Sequence, residues 1–232
     1  MVRVRREDRL RWYLVLVLAI DTSSAAVTAA LTEVSGPDVR LIGERVTVDA
    51  RAHGELLAPS IDAVLTDAGV APRELAAIVA GVGPGPFTGL RVGLVTAAVM
   101  GDLLAIPTYG VCSLDAIAGA LPPDELLVAA DARRREVYWA RYSSRRRISG
   151  PDVAKPADLD TSGARAVAGA GARLYADVLG LPLLDKDFPS ALALVQLARD
   201  RITDGADSQT LTPLYLRRPD AVEPGAAKPV SA

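Results

Sequence analysis

What this chain lacks narrows its function before anything it contains. It has one histidine, His53, and one cysteine, Cys112. A single cysteine forms no internal disulfide and fits a reducing compartment. A hydrolytic metal site on a helix takes two histidines a turn apart plus further ligands. A metallopeptidase is therefore excluded, and His53 reads as a polar residue at a helix start. Lysine is scarce, three among 26 basic residues, and a net charge of −2 carries none of the basic excess of a dedicated nucleic-acid binder. Aromatic residues are 4% of the chain while 50% of its 232 residues are apolar, so the core must be built from Ala, Val and Leu. The apolar run near the N-terminus is short. Arg3, Arg5, Arg6, Arg9 and Arg11 precede the run Trp12 to Ile20, which has the look of a signal peptide but falls far short of the roughly 20 residues that span a bilayer. That run ends at Asp21, inside a strand of the fold. Residues 1–13 accordingly read as a disordered extension or an upstream start, and the expected location is the cytoplasm, with no membrane partner.

What is present centres on Gly81-Val82-Gly83-Pro84-Gly85-Pro86-Phe87-Thr88-Gly89-Leu90-Arg91. An apolar strand, Leu75 to Ala80, leads in, and an Ala/Val/Leu-rich helix, Pro86–Leu104, leads out. No lysine follows the glycines, as a phosphate-binding P-loop requires. The dinucleotide spacing fails as well, because the third glycine position is Pro86 counted from Gly81 and Thr88 counted from Gly83. Along the helix Gly89, Gly93, Ala97 and Gly101 recur every fourth residue and share one smooth face. Each mid-helix glycine costs about 1 kcal/mol against alanine, so another backbone must approach that face closely. Two surfaces qualify: the helix's own sheet, or a partner helix.

Upstream, strands Leu14–Ile20, Ala25–Val34 and Val39–Val48 with short polar links predict an antiparallel meander. Leu57, Ile61, Val64, Leu65 and Ala68 mark one stripe of a helix over 56–68, bent or irregular at Pro59. Downstream come a strand, Thr108–Val111, and a short helix that Ser113 caps. The order β-β-β-α-β-α-β matches a ribonuclease H-like core. After Pro122-Pro123-Asp124 the stretch Leu126–Asp131 echoes Leu16–Asp21, and in each copy a second strand begins its apolar positions six residues past the aspartate. A polar, arginine-rich link containing Arg145, Arg146 and Arg147 follows, then a strand over 164–168, the turn Gly169-Ala170-Gly171, a short helix to Leu179 and a helix over 190–202. Pro213-Leu214-Tyr215-Leu216-Arg217 closes the ordered chain, and residues 219–232 read as a disordered tail. The expected fold is α/β, two ribonuclease H-like domains with mixed sheets flanked by helices. The first covers 14–112 and the smaller second 113–218, whose last ordered segment is free to pack back on the first.

Two such halves, each opening strand–Asp, follow the plan of the actin, Hsp70 and sugar-kinase superfamily. Within it, Leu18-Ala19-Ile20-Asp21-Thr22-Ser23, His53-Gly54-Glu55-Leu56-Leu57-Ala58-Pro59, Gly83–Arg91, Asp131-Ala132-Arg133-Arg134-Arg135-Glu136-Val137-Tyr138 and Pro213–Arg217 closely resemble the TsaB (YeaZ) family, whose usual text has serine where this chain has Gly54 and Pro86. The resemblance covers roughly residues 15–218, in order. It implies a bacterial cytoplasmic protein required to make threonylcarbamoyladenosine beside the anticodon of tRNAs reading codons that start with A. In that family the protein is not the catalyst. It pairs with the catalytic paralogue, TsaD, through the first two helices of each N-terminal domain; the ATPase TsaE joins the pair, and tRNA is met through the complex. No cofactor is implied for this chain, with ATP or ADP entering only in the complex.

The expected partner interface is therefore Leu57, Ile61, Val64 and Leu65 on the first helix with Gly89, Leu90, Gly93, Leu94, Ala97 and Gly101 on the second. The same strip would serve a homodimer of the free chain. If the ridge faces outward, Gly93→Leu should abolish docking and spare the fold. The runner-up function is a stand-alone ATP-dependent phosphotransferase using Asp21 to organise Mg²⁺. Its phosphate turn is degraded, since Thr22-Ser23-Ser24 holds no glycine. Asp21, Thr22, Ser23, Asp131 and Arg133 accordingly read as a vestigial nucleotide or anion site, without metal.

Overall fold

The computed structural model describes residues 14–122 and 124–217. The expected extension 1–13, Pro123 and the expected tail 219–232 lie outside the described residues. The first half opens with β1 (Val15–Asp21), β2 (Ala26–Ser35) and β3 (Asp38–Val48), then α1 (His53–Asp67), β4 (Leu75–Gly81), α2 (Phe87–Leu104), β5 (Thr108–Val111) and α3 (Ser113–Gly119). The three opening strands are antiparallel, β4 and β5 add on in parallel, and the sheet order is β3-β2-β1-β4-β5. The second half repeats the plan with β6 (Leu126–Asp131), β7 (Val137–Ser143), β8 (Arg146–Ala154) and β9 (Ala166–Ala168) in the order β8-β7-β6-β9. Helices α4 (Ala170–Leu174), α5 (Ala176–Leu179) and α6 (Ala191–Thr203) follow. Asp21 pairs with Thr28 across β1–β2 and Asp131 with Val137 across β6–β7, so the echo in the sequence is a repeated hairpin.

The continuous apolar text of β1 follows from burial on both faces. Successive strand residues point to opposite sides, so Leu18 and Ile20 face α1 and α2 while Val17 and Ala19 face α6. That last contact corrects the expected boundary at residue 112. Ala191, Leu194, Val195, Ala198 and Ile202 of α6 pack with Val17, Val79 and Tyr109, so a helix assigned to the second half seals the first sheet. Two local readings change as well. The arginine-rich link is largely β8, an edge strand mostly exposed and joined to β7 through a tight turn with positive φ at Ser144 and Arg145. Ser113 does not cap α3, whose N-cap is Cys112; its hydroxyl is aimed elsewhere. Pro59 sits inside α1 on the exposed side, and the neighbouring Ser60 hydroxyl donates to the Leu56 carbonyl at 2.7 Å.

Residues 206–217 form a strap along β5, the edge strand. The Gln209 N–H donates to the Thr108 carbonyl at 2.8 Å, the Thr108 N–H to Ser208 Oγ at 3.0 Å, and the Leu214 N–H to the Val82 carbonyl at 2.8 Å. An exposed sheet edge invites pairing with another chain, and this strap occupies it.

Candidate functional site

β1 ends at Asp21, beneath the turn Thr22-Ser23-Ser24. Asp21 Oδ1 accepts from the Ser23 N–H at 2.9 Å and the Ser23 hydroxyl at 2.7 Å, and Oδ2 accepts from the Ser113 hydroxyl at 2.6 Å. Ser113 Oγ in turn accepts from the Gly83 N–H at 3.2 Å. Burial raises the Asp21 carboxyl above its ordinary 3.8, with the Ser113 and Ser23 donors pulling the other way. An acid held more protonated in the folded than in the unfolded state lends stability that is full below 3.8 and lost as pH rises through the raised folded value. Asp21→Asn, which cannot titrate, should flatten that descent. Chemical denaturation across the acid range checks it, and an unchanged slope would contradict the assignment.

The loop glycines are explained by contact rather than by phosphate. A Cβ on Gly81 would fall inside the Asp21 carboxylate, and one on Gly85 would strike the Ser23 carbonyl. Thr22 joins this turn to α2. Its hydroxyl donates to the Gly89 carbonyl at 2.8 Å and accepts from the Gly93 N–H at 2.9 Å. Those two groups are the i and i+4 partners of an α-helix, so the hydroxyl sits astride the ladder of α2. His53 opens α1 and donates from Nε2 to the Ser24 carbonyl at 2.7 Å, closing the same junction from the other side.

The ridge therefore faces inward, which overturns the expected interface. Gly89 lies over Thr22 and His53, Gly93 over Thr22 and Ile20, and Gly101 over Thr108. Leu90 and Ala97 are fully buried with them, and Leu94 nearly so; Leu57, Ile61, Val64 and Leu65 of α1 are likewise buried against the same sheet. None of these ten residues is available to a partner, because the close approach that the glycines permit is already made by β1 and β5.

The outward side of α2 carries what the sequence reading missed. Val95, Val99 and Leu103, one turn apart, are 56%, 51% and 78% exposed. Phe87 stands at the head of the helix with Arg91 stacked over its ring at 4.9 Å and Tyr215 of the strap packed beside it at 5.0 Å between centroids. A groove of about 1320 Å³, lined by Phe87, Arg91, Val95 and Tyr215 among others, runs between α2 and the strap. The signal was in the text, a second apolar repeat opposite the glycines. It makes α2 largely apolar: among the described residues α2 is the one helix long and apolar enough to cross a membrane, yet its glycine side is packed on the protein's own sheet.

The second expected site is only partly assembled. Ser23, Asp131 and Arg133 line a cleft of about 120 Å³ between the two halves, together with Ser24 and Asp187. Small-molecule pockets usually enclose upward of roughly 300 Å³. Asp21 and Thr22 lie beneath it, engaged by Ser23, Ser113 and α2. Asp131 spends Oδ1 on the Arg133 N–H at 2.9 Å. Among the described residues no three His, Cys, Asp or Glu side chains are grouped so as to hold a metal ion.

The family model for TsaD, tRNA N6-adenosine threonylcarbamoyltransferase, matches residues 42–200. A Pseudomonas aeruginosa crystal structure, of a protein with similarity to peptidase YeaZ, superposes with a TM-score of 0.74 at 29% identity, covering 88% of this chain and 100% of that one. The TsaB protein of Escherichia coli, a tRNA threonylcarbamoyladenosine biosynthesis protein, is 28% identical over 87% of this chain and 94% of its own. This chain belongs to the TsaB (YeaZ) family. An uncharacterized Mycobacterium leprae protein is also similar, 49% identical over 94% of this chain, which spans 57% of that relative's length. The TsaB-family stretches fall on the features just described. The first forms the end of β1 and its serine turn, the second opens α1, the third is the loop and head of α2, the fourth joins β6 to β7, and the last ends the strap. A role in making threonylcarbamoyladenosine follows from the family.

Proposed function

We propose that this chain is the non-catalytic scaffold and activator of the bacterial complex that transfers threonylcarbamoyl to the adenosine 3′ of the anticodon in tRNAs reading codons that start with A. It acts by pairing with the catalytic paralogue TsaD. The observation that carries the reading is the outward face of α2, where Val95, Val99 and Leu103 stand uncovered beside the strap groove. Contiguous exposed apolar surface marks an interaction site, and this one lies on a helix of the N-terminal half, as the family's pairing requires. A TsaE-like ATPase joins the pair, and tRNA reaches this chain through the complex. The small cleft and the engagement of both Asp21 oxygens by serine donors support a chain that needs no nucleotide of its own, with ATP or ADP belonging to the assembly. The same face serves self-association when TsaD is absent. The protein works in the cytoplasm, away from membranes.

Depletion of this protein tests the role. Mass spectrometry of tRNA nucleosides should show threonylcarbamoyladenosine falling and returning when the wild-type chain is restored. Levels that stay unchanged on full depletion would overturn the assignment.

A further inference from the structure

Residues 1–13 hold Arg3, Arg5, Arg6, Arg9 and Arg11 against Glu7 and Asp8. The rest of the chain is left with 21 basic residues against 26 acidic ones, so a basic segment is tethered to an acidic body. The fold sets where the tether is fixed. β1 runs parallel to β4, and β4 to β5, so β1 starts at the end of the sheet where α2 finishes and hands the chain to β5. Val15 accordingly lines the strap groove, together with Asp102 from the last turn of α2 and Asp207 from the start of the strap. Leu14 beside it is 55% exposed.

The groove and the segment carry their charges in complementary order. Asp102 and Asp207 are exposed, and among the described residues neither carboxylate has an ion-pair partner. Arg91, the cation in the lining, stands eleven residues earlier on α2, stacked on Phe87. Counted back from Leu14, the segment offers Arg11 and Arg9 first and then Asp8 and Glu7, with Trp12 and Leu10 to cover Val95 and Ala98 between the charged ends of the groove. The lengths agree. Asp102 and Arg91 are about 16 Å apart along the helix axis, and the chain from Leu14 back to Glu7 reaches about 23 Å when extended. Exposed ion pairs are individually weak, but a short tether supplies an effective concentration of millimolar order, so a contact that a free peptide makes at about 1 mM is half-formed in the chain.

We propose that residues 1–13 lie back along α2 in the strap groove, as a built-in competitor for whatever docks there. The contact rests on the groove, its charges and the point of attachment; the competition rests on the docking function proposed above. The test uses Trp12 as a reporter in the full chain, with Trp139→Phe to silence the other tryptophan. The buried Trp139 Nε1 has no hydrogen-bond partner among the described residues, so that change breaks no bond. Acrylamide should quench Trp12 about threefold less well than it does once Arg9→Glu and Arg11→Glu are added, and about 1 M NaCl should narrow the gap. Adding Asp102→Arg and Asp207→Arg to that variant should restore the protection, a rescue that unspecific collapse of the segment does not give. Leu10→Cys with Ala98→Cys, in a chain that keeps Trp139, supplies a second reading should the Trp139→Phe background not fold: mild oxidation should close a disulfide within one chain, with Cys112 buried out of reach. Release by Arg9→Glu and Arg11→Glu should also tighten docking of TsaD by the inverse of the open fraction, about threefold if one chain in three is open. Equal quenching in both chains, no rescue by the charge swap, or a disulfide that joins two chains and so seats a second copy in the groove would each overturn the proposal. Its failure is separable from that of the functional reading. An unprotected Trp12 beside α2 variants that lose TsaD removes only the segment from the groove; a protected Trp12 whose release leaves TsaD affinity unchanged moves docking off α2, and the competition with it.

Discussion

Gly93→Leu is expected to cost the protein its fold, by more than about 3 kcal/mol. A side chain at this position must displace Thr22, whose hydroxyl lies closer to a built Cβ than any real side-chain carbon stands, and Ile20 sits at 3.5 Å behind it. The same displacement breaks the bonds from Thr22 to the Gly89 carbonyl and from the Gly93 N–H to Thr22, both buried. Each lost buried hydrogen bond adds roughly 1–3 kcal/mol when a partner is left unsatisfied. Urea denaturation of the purified variant, or its failure to accumulate in soluble form, reads the effect. A Gly93→Leu protein with wild-type stability would put the ridge on the outside of the molecule after all.

The opposite behaviour is expected on the other side of the same helix. Val99→Arg combined with Leu103→Lys should leave the fold within about 1 kcal/mol of wild type, since exposed substitutions rarely exceed roughly 0.5 kcal/mol each and cations sit well in the last turn of a helix. Docking should weaken by at least about 2 kcal/mol, roughly thirtyfold in Kd, if these two side chains lie at the centre of the interface. Co-purification with TsaD alongside a thermal melt makes the pair of measurements. A well-folded double variant that still co-purifies at wild-type yield moves the interface away from α2.

Placed side by side, these expectations show which parts of the molecule the amino-acid text could convey. The repeated hairpin is legible because Leu16–Asp21 and Leu126–Asp131 are both continuous apolar strands ending on a carboxylate, and the registers Asp21↔Thr28 and Asp131↔Val137 bear that out. The glycine ridge is legible as a close approach but not as a direction. Spacing marks a helix face without saying what lies against it, and Val95, Val99 and Leu103 are as apolar as the buried side. β8 escapes notice because a largely exposed edge strand loses the alternation that marks a strand. Ser113 looks like a cap from its place before a helix, whereas its Asp21 contact spans 92 residues and leaves no local trace. The left-handed backbone at Arg133–Arg135 is invisible for a related reason: nothing in the residue types asks for positive φ.

The placement of α6 governs how the chain can mature. Val17, Val79 and Tyr109 lie in the first half, yet the face they share is covered chiefly by α6, residues 191–203. During synthesis the opening sheet therefore waits, one side bare, until more than four-fifths of the 232 residues have been added. Contacts of such long sequence separation slow folding and leave apolar surface exposed meanwhile. A chain terminated just before Ser190 would carry both sheets with the α6 side of the first left bare.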